Sequence, residues 1–277
     1  MLHLPKNEAE LLEILSRWPV QAFWAGATDL SVALQRGQVD LSPESHHVDL
    51  HALKPQWSEI RVHHDALEIG ALTTVADLLA SPLVRDLAPV LHAAAREFGS
   101  PPIRNMATVG GNLANASPAA DLWPPLLVLE AQIELLSPRG TRRVPLEAFY
   151  TGYRQTVREP HEVIRRIRIP SESLELPFYY RKVGLRQSQA IAVVSLAAVR
   201  TAEGAVRMAA GAVNPTVQRL RSVELLLNAG ETPTPSTLKQ ALASDIHPIS
   251  DVRATAAYRF AVTLNLVQEA WRSLRDG

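Results

Sequence analysis

The N-terminal residues carry apolar positions at helical spacing. Leu11 and Leu15 follow Asn7, and Glu10 stands three residues after that asparagine, as in a capping box. The pattern predicts a helix over about residues 8–17.

A second pattern indicates a strand, a tight turn and another helix. Residues 21–24, which are apolar from Ala22 onward, form a short run that breaks at residues 25–29, and a helical pattern resumes at Leu30. Further on, residues 67–70 are predicted as a strand, and Thr74 with Asp77 caps a helix.

The middle of the chain alternates between regular and irregular patterns. A helix is predicted over about residues 87–98, ending at Gly99. Residues 100–118 are rich in small side chains and lack periodicity, which predicts a long loop. A loop of this length inside a compact domain is usually functional. Pro118 suits a first helical turn, so a helix is predicted from there through Leu129, bent or restarted at the two prolines 124 and 125.

Period-two patterns then predict strands. Residues 132–137 and 142–145 flank a turn-rich segment and predict a hairpin. Residues 163–169 alternate apolar side chains with arginines and predict a strand with a basic solvent face. Residues 170–177 are typical of a linker, so we expect a domain boundary there.

The pattern after the predicted linker, from about residue 178 onward, indicates a small α+β unit. Three apolar strands are expected, followed by three helices, which together form an antiparallel sheet covered by helices. The strands are expected at about residues 178–183, 191–200 and 205–212, and the helices near residues 223–227, 237–243 and 252–274.

Composition excludes several functional classes. The 277 residues contain 28 Lys and Arg against 28 Asp and Glu, so no net positive charge attracts nucleic acid. The absence of cysteine excludes iron-sulfur clusters and Cys-ligated zinc held by this chain. With no apolar run long enough to span a bilayer and no visible secretory signal, we expect no membrane association and a cytoplasmic location.

Common site motifs are missing. Neither G-x-G-x-x-G, the P-loop, G-x-S-x-G nor H-E-x-x-H occurs. The pairs His46-His47 and His63-His64 do not favour a shared metal site, because neighbours on a strand face opposite ways, and we expect these histidines at the surface. We predict no metal site.

Two glycine-bearing segments are candidate anion sites. The Gly110-Gly111-Asn112 stretch permits positive φ and amides that face a ligand, and Gly26 with Thr28 near a helix start offers a second such cradle. Either segment alone is consistent with an ordinary turn. Two cradles together suggest a dinucleotide.

The complete strings resemble one family. Residues 108–121, Thr-Val-Gly-Gly-Asn-Leu-Ala-Asn-Ala-Ser-Pro-Ala-Ala-Asp, resemble the flavin-binding loop of the molybdenum hydroxylases, the family that includes xanthine dehydrogenase. Residues 23–30, Phe-Trp-Ala-Gly-Ala-Thr-Asp-Leu, resemble its first flavin segment, with Ala27 where relatives often have glycine. Residues 149–154 and 181–184 resemble later landmarks, so the likeness runs through nearly the whole chain.

The resemblance implies an α+β fold. Residues 1–172 would be an FAD-binding domain of the PCMH/VAO type, with two α/β subdomains of about residues 1–55 and 56–172 holding FAD between them. Residues 176–277 would be the small C-terminal domain seen in the carbon monoxide dehydrogenase flavoprotein, with a three-stranded antiparallel sheet and helices.

The resemblance also implies cofactor contacts and no catalytic acid or base. Asp121 would bind FAD hydroxyls and Lys182 would lie near the ring system, although Phe98 and Ile164 are equally consistent with core packing. The residues implied as FAD contacts are Phe23, Trp24, Ala25, Gly26, Ala27, Thr28, Asp29, Leu30, Phe98, Thr108, Gly110, Gly111, Asn112, Ala114, Asn115, Ala120, Asp121, Ile164 and Lys182.

The family's division of labour implies a function. The chain would be the FAD-binding medium subunit of a heteromeric complex, whose large subunit holds molybdopterin and whose small subunit holds iron-sulfur clusters. Electrons would pass through FAD to NAD or another acceptor. The reaction of the complex would be purine oxidation, which is the commonest activity named in this family. Two alternatives stay open: a stand-alone flavin reductase of related fold, and a flavin-free assembly subunit.

Overall fold

The N-terminal unit is a small parallel sheet with helices. The computed structural model describes residues 1–186, 190–230 and 232–276. The strands pair in the order β1-β3-β2, and the Asn7 side chain accepts from the Glu10 amide at 2.9 Å, which confirms the predicted first helix. The elements are β1 (Leu2–His3), α1 (Glu8–Arg17), β2 (Val20–Trp24), α2 (Leu30–Gln35), β3 (His46–Asp49) and α3 (Lys54–Trp57).

The second unit is built on a five-stranded antiparallel sheet of order β4-β5-β10-β6-β7. The predicted hairpin and the strand that follows it are confirmed as β6, β7 and β10. The elements are β4 (Ile60–His63), β5 (Ala66–Gly70), α4 (Val75–Ala80), α5 (Pro82–Leu87), α6 (Pro89–Arg96), α7 (Pro101–Met106), α8 (Val109–Asn115), α9 (Trp123–Val128), β6 (Gln132–Ser137), β7 (Gly140–Pro145), α10 (Leu146–Phe149), β8 (Tyr150–Gly152), β9 (Gln155–Thr156) and β10 (Val163–Pro170).

The C-terminal unit is an antiparallel sheet of order β11-β12-β13-β14 with helices, as expected, except that a two-residue fourth strand extends the predicted three. The elements are β11 (Phe178–Val183), β12 (Val194–Arg200), β13 (Val206–Gly211), β14 (Gln218–Arg219), α11 (Arg221–Leu227), α12 (Pro235–Asp245) and α13 (Ala256–Asp276).

The C-terminal sheet is covered on both faces. Ala197 and Val199 of β12 belong to the core of the second unit, where α9 packs, whereas Leu196 and Ala198 pack among the C-terminal helices. Side chains alternate along a strand, so a strand that is apolar throughout has partners on both sides. The sheet therefore joins two hydrophobic cores.

The predicted loop over residues 100–118 is wrong, because two short helices lie there. Pro101 and Pro102 occupy the first turn of α7, where a missing N–H costs nothing, and Thr108 caps α8 by accepting from the Gly111 amide at 3.1 Å. None of the six residues of α7 is buried, which is why no apolar periodicity marks it.

The predicted helix over residues 118–129 begins later than expected. Residues 117–122 form turns, and α9 starts at Trp123. Pro124 and Pro125 stand in its first turn and start the helix rather than bend it. Asp121 consequently precedes the helix instead of lying in its first turn.

The predicted basic solvent face of β10 is also wrong. The side chain of Arg166 is only 18% exposed and pairs with Glu68 at 2.5 Å and with Glu134 at 3.1 Å. The predicted surface position of His47 fails similarly, since its buried ring bonds to Ser45 Oγ and to the Asp40 carbonyl. The pattern shows which side chains alternate but not what covers them.

The predicted linker is packed against both of its neighbours. Ser173 is fully buried and accepts from Arg207 at 3.0 Å, and the Glu175 amide donates to the Leu87 carbonyl. The boundaries at residues 172 and 176 stay a prediction. Among the residues described, no helix combines the length and apolarity needed to span a membrane.

Candidate functional site

The first predicted flavin segment follows the carboxyl end of a parallel strand. Residues 25–29 connect β2 to α2, and Ala27 has a left-handed φ of 51°. Within the described part of the chain, the amides of residues 25–29 donate to no protein acceptor. Successive free amides around a left-handed residue form a concave nest that binds anions. We call residues 25–29 the amide cradle; they fit the diphosphate of a dinucleotide.

Gly26 brings the two predicted segments together. A Cβ atom added there would lie 1.8 Å from the Met106 carbonyl oxygen and 2.6 Å from its carbonyl carbon. Only a glycine permits such an approach between two backbones. The amide cradle therefore lies directly against the residues that precede Thr108.

The second glycine segment does not act as predicted. Gly110 and Gly111 permit positive φ, but both are helical, and their amides donate to the Ala71 carbonyl and the Thr108 hydroxyl. A Cβ atom on Gly110 would meet Ala71 at 2.8 Å, so this glycine serves close packing of α8. The amides of these glycines are thus not free donors for a phosphate.

Several predicted residues keep buried polar atoms without a partner. Trp24 Nε1, Asn112 Oδ1 and Asp121 Oδ1 make no hydrogen bond within the described ranges. Such atoms normally find a partner, because an unpaired buried polar group costs about 1–3 kcal/mol. A bound ligand with both donors and acceptors, as FAD has, fits this set.

Asp121 and Lys182 form a buried ion pair between the second unit and β11. The Lys182 ammonium donates to Asp121 Oδ2 at 2.7 Å and to the Glu97 carbonyl at 3.0 Å, and the two side chains are 4% and 11% exposed. Burial raises the pKa of Asp121 to about 6, although the Lys182 charge opposes that rise. The pair keeps a cation and a weakly acidic carboxyl beside each other.

Two family models match the chain. The one described as the FAD binding domain in molybdopterin dehydrogenase covers residues 1–172, and the one described as the CO dehydrogenase flavoprotein C-terminal domain covers residues 178–274. The chain belongs to the FAD-binding medium subunits of the molybdenum hydroxylases. It is an oxidoreductase component with an FAD-binding domain.

Relatives and solved structures resemble this flavoprotein over almost its full length. It is 30% identical to the xanthine dehydrogenase FAD-binding subunit of Escherichia coli O157:H7 over 96% of the chain and 91% of the relative. It is 29% identical to the carbon monoxide dehydrogenase medium chain of Hydrogenophaga pseudoflava over 97% and 94%. A solved carbon monoxide dehydrogenase from that organism superposes with a TM-score of 0.89 at 27% identity, covering 99% and 96%.

The remaining predicted residues of this flavoprotein divide into two groups. Gly111 and Ala114 lie on the exposed side of α8, and Asn115 is partly exposed. Ile164 and Ala120 are buried in the hydrophobic core, and Phe98 packs against it. The core alternative for Phe98 and Ile164 thus has direct structural support, and their contact with FAD stays a prediction.

Sequence reasoning did not name Glu97 and Tyr180, and it used Arg181 only as part of the landmark over residues 181–184. Glu97 and Arg181 line a cavity of about 440 Å³ together with Lys182, and the buried Tyr180 hydroxyl has no partner among the described residues. Tyr180 and Lys182 are two positions apart on β11 and face the same way. The two-residue spacing from Lys182 on a predicted strand could have identified Tyr180 as a site residue. For Glu97 the only available sequence signal was its position next to Phe98.

Proposed function

We propose that this flavoprotein passes electrons from the iron-sulfur clusters of a small partner subunit through FAD to NAD or another acceptor. A separate large subunit would hold molybdopterin and oxidise the substrate. The observation that carries this proposal is the amide cradle, which lies against the residues that lead into the second flavin segment, with the buried Asp121–Lys182 pair at the end of that segment.

The chain's own residues bind and orient FAD in this proposal. The amides of residues 25–29 hold the diphosphate, Asp121 Oδ1 accepts from a cofactor hydroxyl, and Asn112 Oδ1 accepts from a second donor. Bound FAD supplies the chemistry that joins one-electron donors to a hydride acceptor. The Lys182 ammonium stabilises negative charge that develops near it. The other predicted contacts between Phe23 and Lys182 line the same FAD site in this proposal.

The substrate and the cellular setting are further parts of the proposal. We infer purine oxidation because a relative aligned over 91% of its length is named for xanthine, although an equally well covered relative is named for carbon monoxide. The substrate is oxidised on another chain, so residues of this subunit do not select it. A cytoplasmic complex is part of the same proposal.

Cofactor content tests the proposal directly. The purified chain, or the complex that contains it, should show flavin absorbance and release FAD on denaturation. Two further chains should co-purify with it. A colourless protein that takes up no added FAD would eliminate the electron-transfer role and favour an assembly subunit, whereas a single chain that reduces a substrate with NADPH would favour a stand-alone reductase.

A further inference from the structure

Reduction of a flavin by one-electron carriers creates a demand for protons. Iron-sulfur clusters deliver electrons alone, so FAD + 2e⁻ + H⁺ → FADH⁻ draws its proton from the protein or from water. The product also carries a negative charge in a buried site. A carboxylate close to that charge becomes a stronger base, because a like charge disfavours its ionised form.

Asp121 is placed to meet that demand. Its side chain is 11% exposed, Oδ2 is bonded to Lys182 at 2.7 Å, and Oδ1 has no partner in the described part of the chain. Lys182 also lines the 440 Å³ cavity, so the residue that bonds to the buried carboxyl borders that space. The cavity is thus the nearest described space from which a proton could reach Asp121.

The groups around Asp121 favour protonation on reduction. The Glu97 charge raises the pKa of Asp121, whereas the Lys182 charge lowers it. Tyr180 faces the same group and stays neutral, since burial first, and then Asp121 and Glu97, raise the pKa of its hydroxyl. In the protein without FAD the pKa of Asp121 is about 6, so the carboxyl is mostly ionised at neutral pH, and negative charge on a reduced flavin would raise that pKa.

We propose that Asp121 takes up a second proton when the bound flavin is reduced, and returns it when the flavin gives a hydride to its acceptor. The two steps are FAD + Asp121–CO₂⁻ + 2e⁻ + 2H⁺ → FADH⁻ + Asp121–CO₂H, and FADH⁻ + NAD⁺ + Asp121–CO₂H → FAD + NADH + Asp121–CO₂⁻ + H⁺. The electrons come from the iron-sulfur partner. This inference rests on the proposed function and adds a proton-accepting residue to it.

Counting protons during photochemical reduction of the FAD-loaded protein tests the role of Asp121. In weakly buffered solution at pH 7 with an indicator dye, the wild-type protein should take up one more proton per two electrons than Asp121→Asn. Glu97→Gln removes a negative charge that raises the pKa of Asp121. Uptake of the extra proton should therefore stop at a lower pH in this variant than in the wild type. Asp86→Asn removes an exposed carboxylate beside Arg85 and should leave the count unchanged.

A second measurement uses the wild-type protein alone. The infrared difference spectrum between reduced and oxidised protein should gain the carbonyl band of a protonated carboxylic acid, and ¹³C-aspartate labelling should shift that band. No aspartate band on reduction, or an FAD-loaded Asp121→Asn protein with the wild-type proton count, would overturn the inference. Either result leaves FAD binding, read from absorbance, intact, and so is distinct from failure of the proposed function.

Discussion

Ala27 is the strained residue of the amide cradle. Its φ of 51° costs an L-residue about 1–2 kcal/mol relative to glycine. Ala27→Gly should therefore bind FAD at least as tightly as the wild type, with a free energy of unfolding unchanged or up to about 1 kcal/mol higher. Ala27→Val, a β-branched residue at positive φ, should lose more than about 1 kcal/mol and bind FAD more weakly. FAD titration and urea unfolding measure both quantities.

Gly37→Ala separates strain from cofactor binding. Gly37 has a φ of 65° and open space around an added Cβ atom, and it lies outside the amide cradle. This variant should lose stability and keep its FAD affinity. Wild-type affinity in Ala27→Val would show that the cradle does not bind the cofactor.

Because Asp121 and Lys182 form a buried ion pair, a single variant that breaks it should be less stable than the double variant that removes both charges. Lys182→Met leaves a buried carboxyl without its cation, which should cost the FAD-free protein about 3–5 kcal/mol. Adding Asp121→Asn removes the isolated charge and should recover most of that loss, while FAD affinity stays low in both proteins. Denaturant unfolding and FAD titration check this, and a double variant as unstable as the single one would contradict it.

The same pair predicts how stability depends on pH. The pKa of Asp121 is about 6 in the folded protein against an ordinary 3.8, so the folded state binds this proton more tightly than the unfolded state. The resulting stability is present below about pH 4 and is lost as the pH rises to about 6, by about 3 kcal/mol. The difference in unfolding free energy between the wild type and the Asp121→Asn, Lys182→Met double variant should follow this course. A difference that does not change with pH would contradict it.

At the scale of elements, alternating charges cross the five-stranded sheet. Arg61, Glu68, Arg166, Glu134 and Arg143 come from β4, β5, β10, β6 and β7 in that order, and neighbours along the row are ion-paired. The carboxylates are the most buried members, at 6% and 11% side-chain exposure. Among the three arginines of the row, Arg166 is the one that pairs with both of these carboxylates.

Removing that arginine should be costly. Arg166→Met removes one ion-pair partner from each of two buried carboxylates, which keep Arg61, Arg165 and Arg143, and should lower the free energy of unfolding by about 1.5–3 kcal/mol. Arg143→Met is the control, because Arg143 is 55% exposed and 3.7 Å from Glu134, and such a pair contributes about 0–1 kcal/mol. Urea unfolding decides, and equal losses would contradict a special role for the centre of the row.

Prediction of the elements depended on local signals. Helix α1 was predicted with its correct bounds because Asn7 marks its start and its buried leucines repeat at helical spacing. Helix α7 buries no residue and therefore carries no repeat, and the start of α9 was placed too early because Pro118 suits a helix start as well as a turn. Capping residues and periodicity predict long amphipathic elements; short ones depend on tertiary contacts.

At the scale of the molecule, the C-terminal unit is tied to the rest by charges as well as by packing. Glu130 accepts from Arg207 at 3.1 Å and lies 3.6 Å from Arg219, and the Ala212 amide donates to the Pro118 carbonyl at 2.7 Å. The two-part organisation followed from the sequence, whereas these contacts did not. Residues far apart in the chain meet only after folding, so the resemblance implied that Asp121 and Lys182 each contact FAD but did not predict their ion pair.

The two-sided cover of β12 predicts how a fragment behaves. A polypeptide of residues 176–277 would expose Ala197, Val199 and Ala209 on one sheet face, since α9 and its neighbours normally bury them. Exposed contiguous apolar surface promotes association. The fragment should aggregate or bind a hydrophobic dye strongly in light-scattering and fluorescence assays. A monodisperse fragment would contradict this expectation.

Because β12 is shared between two cores, the gene segment for residues 176–277 cannot be transplanted alone. A chimeric flavoprotein that takes this segment from a relative also needs a surface equivalent to that relative's α9. Exchange between relatives should therefore succeed for whole subunits and fail for the C-terminal unit alone.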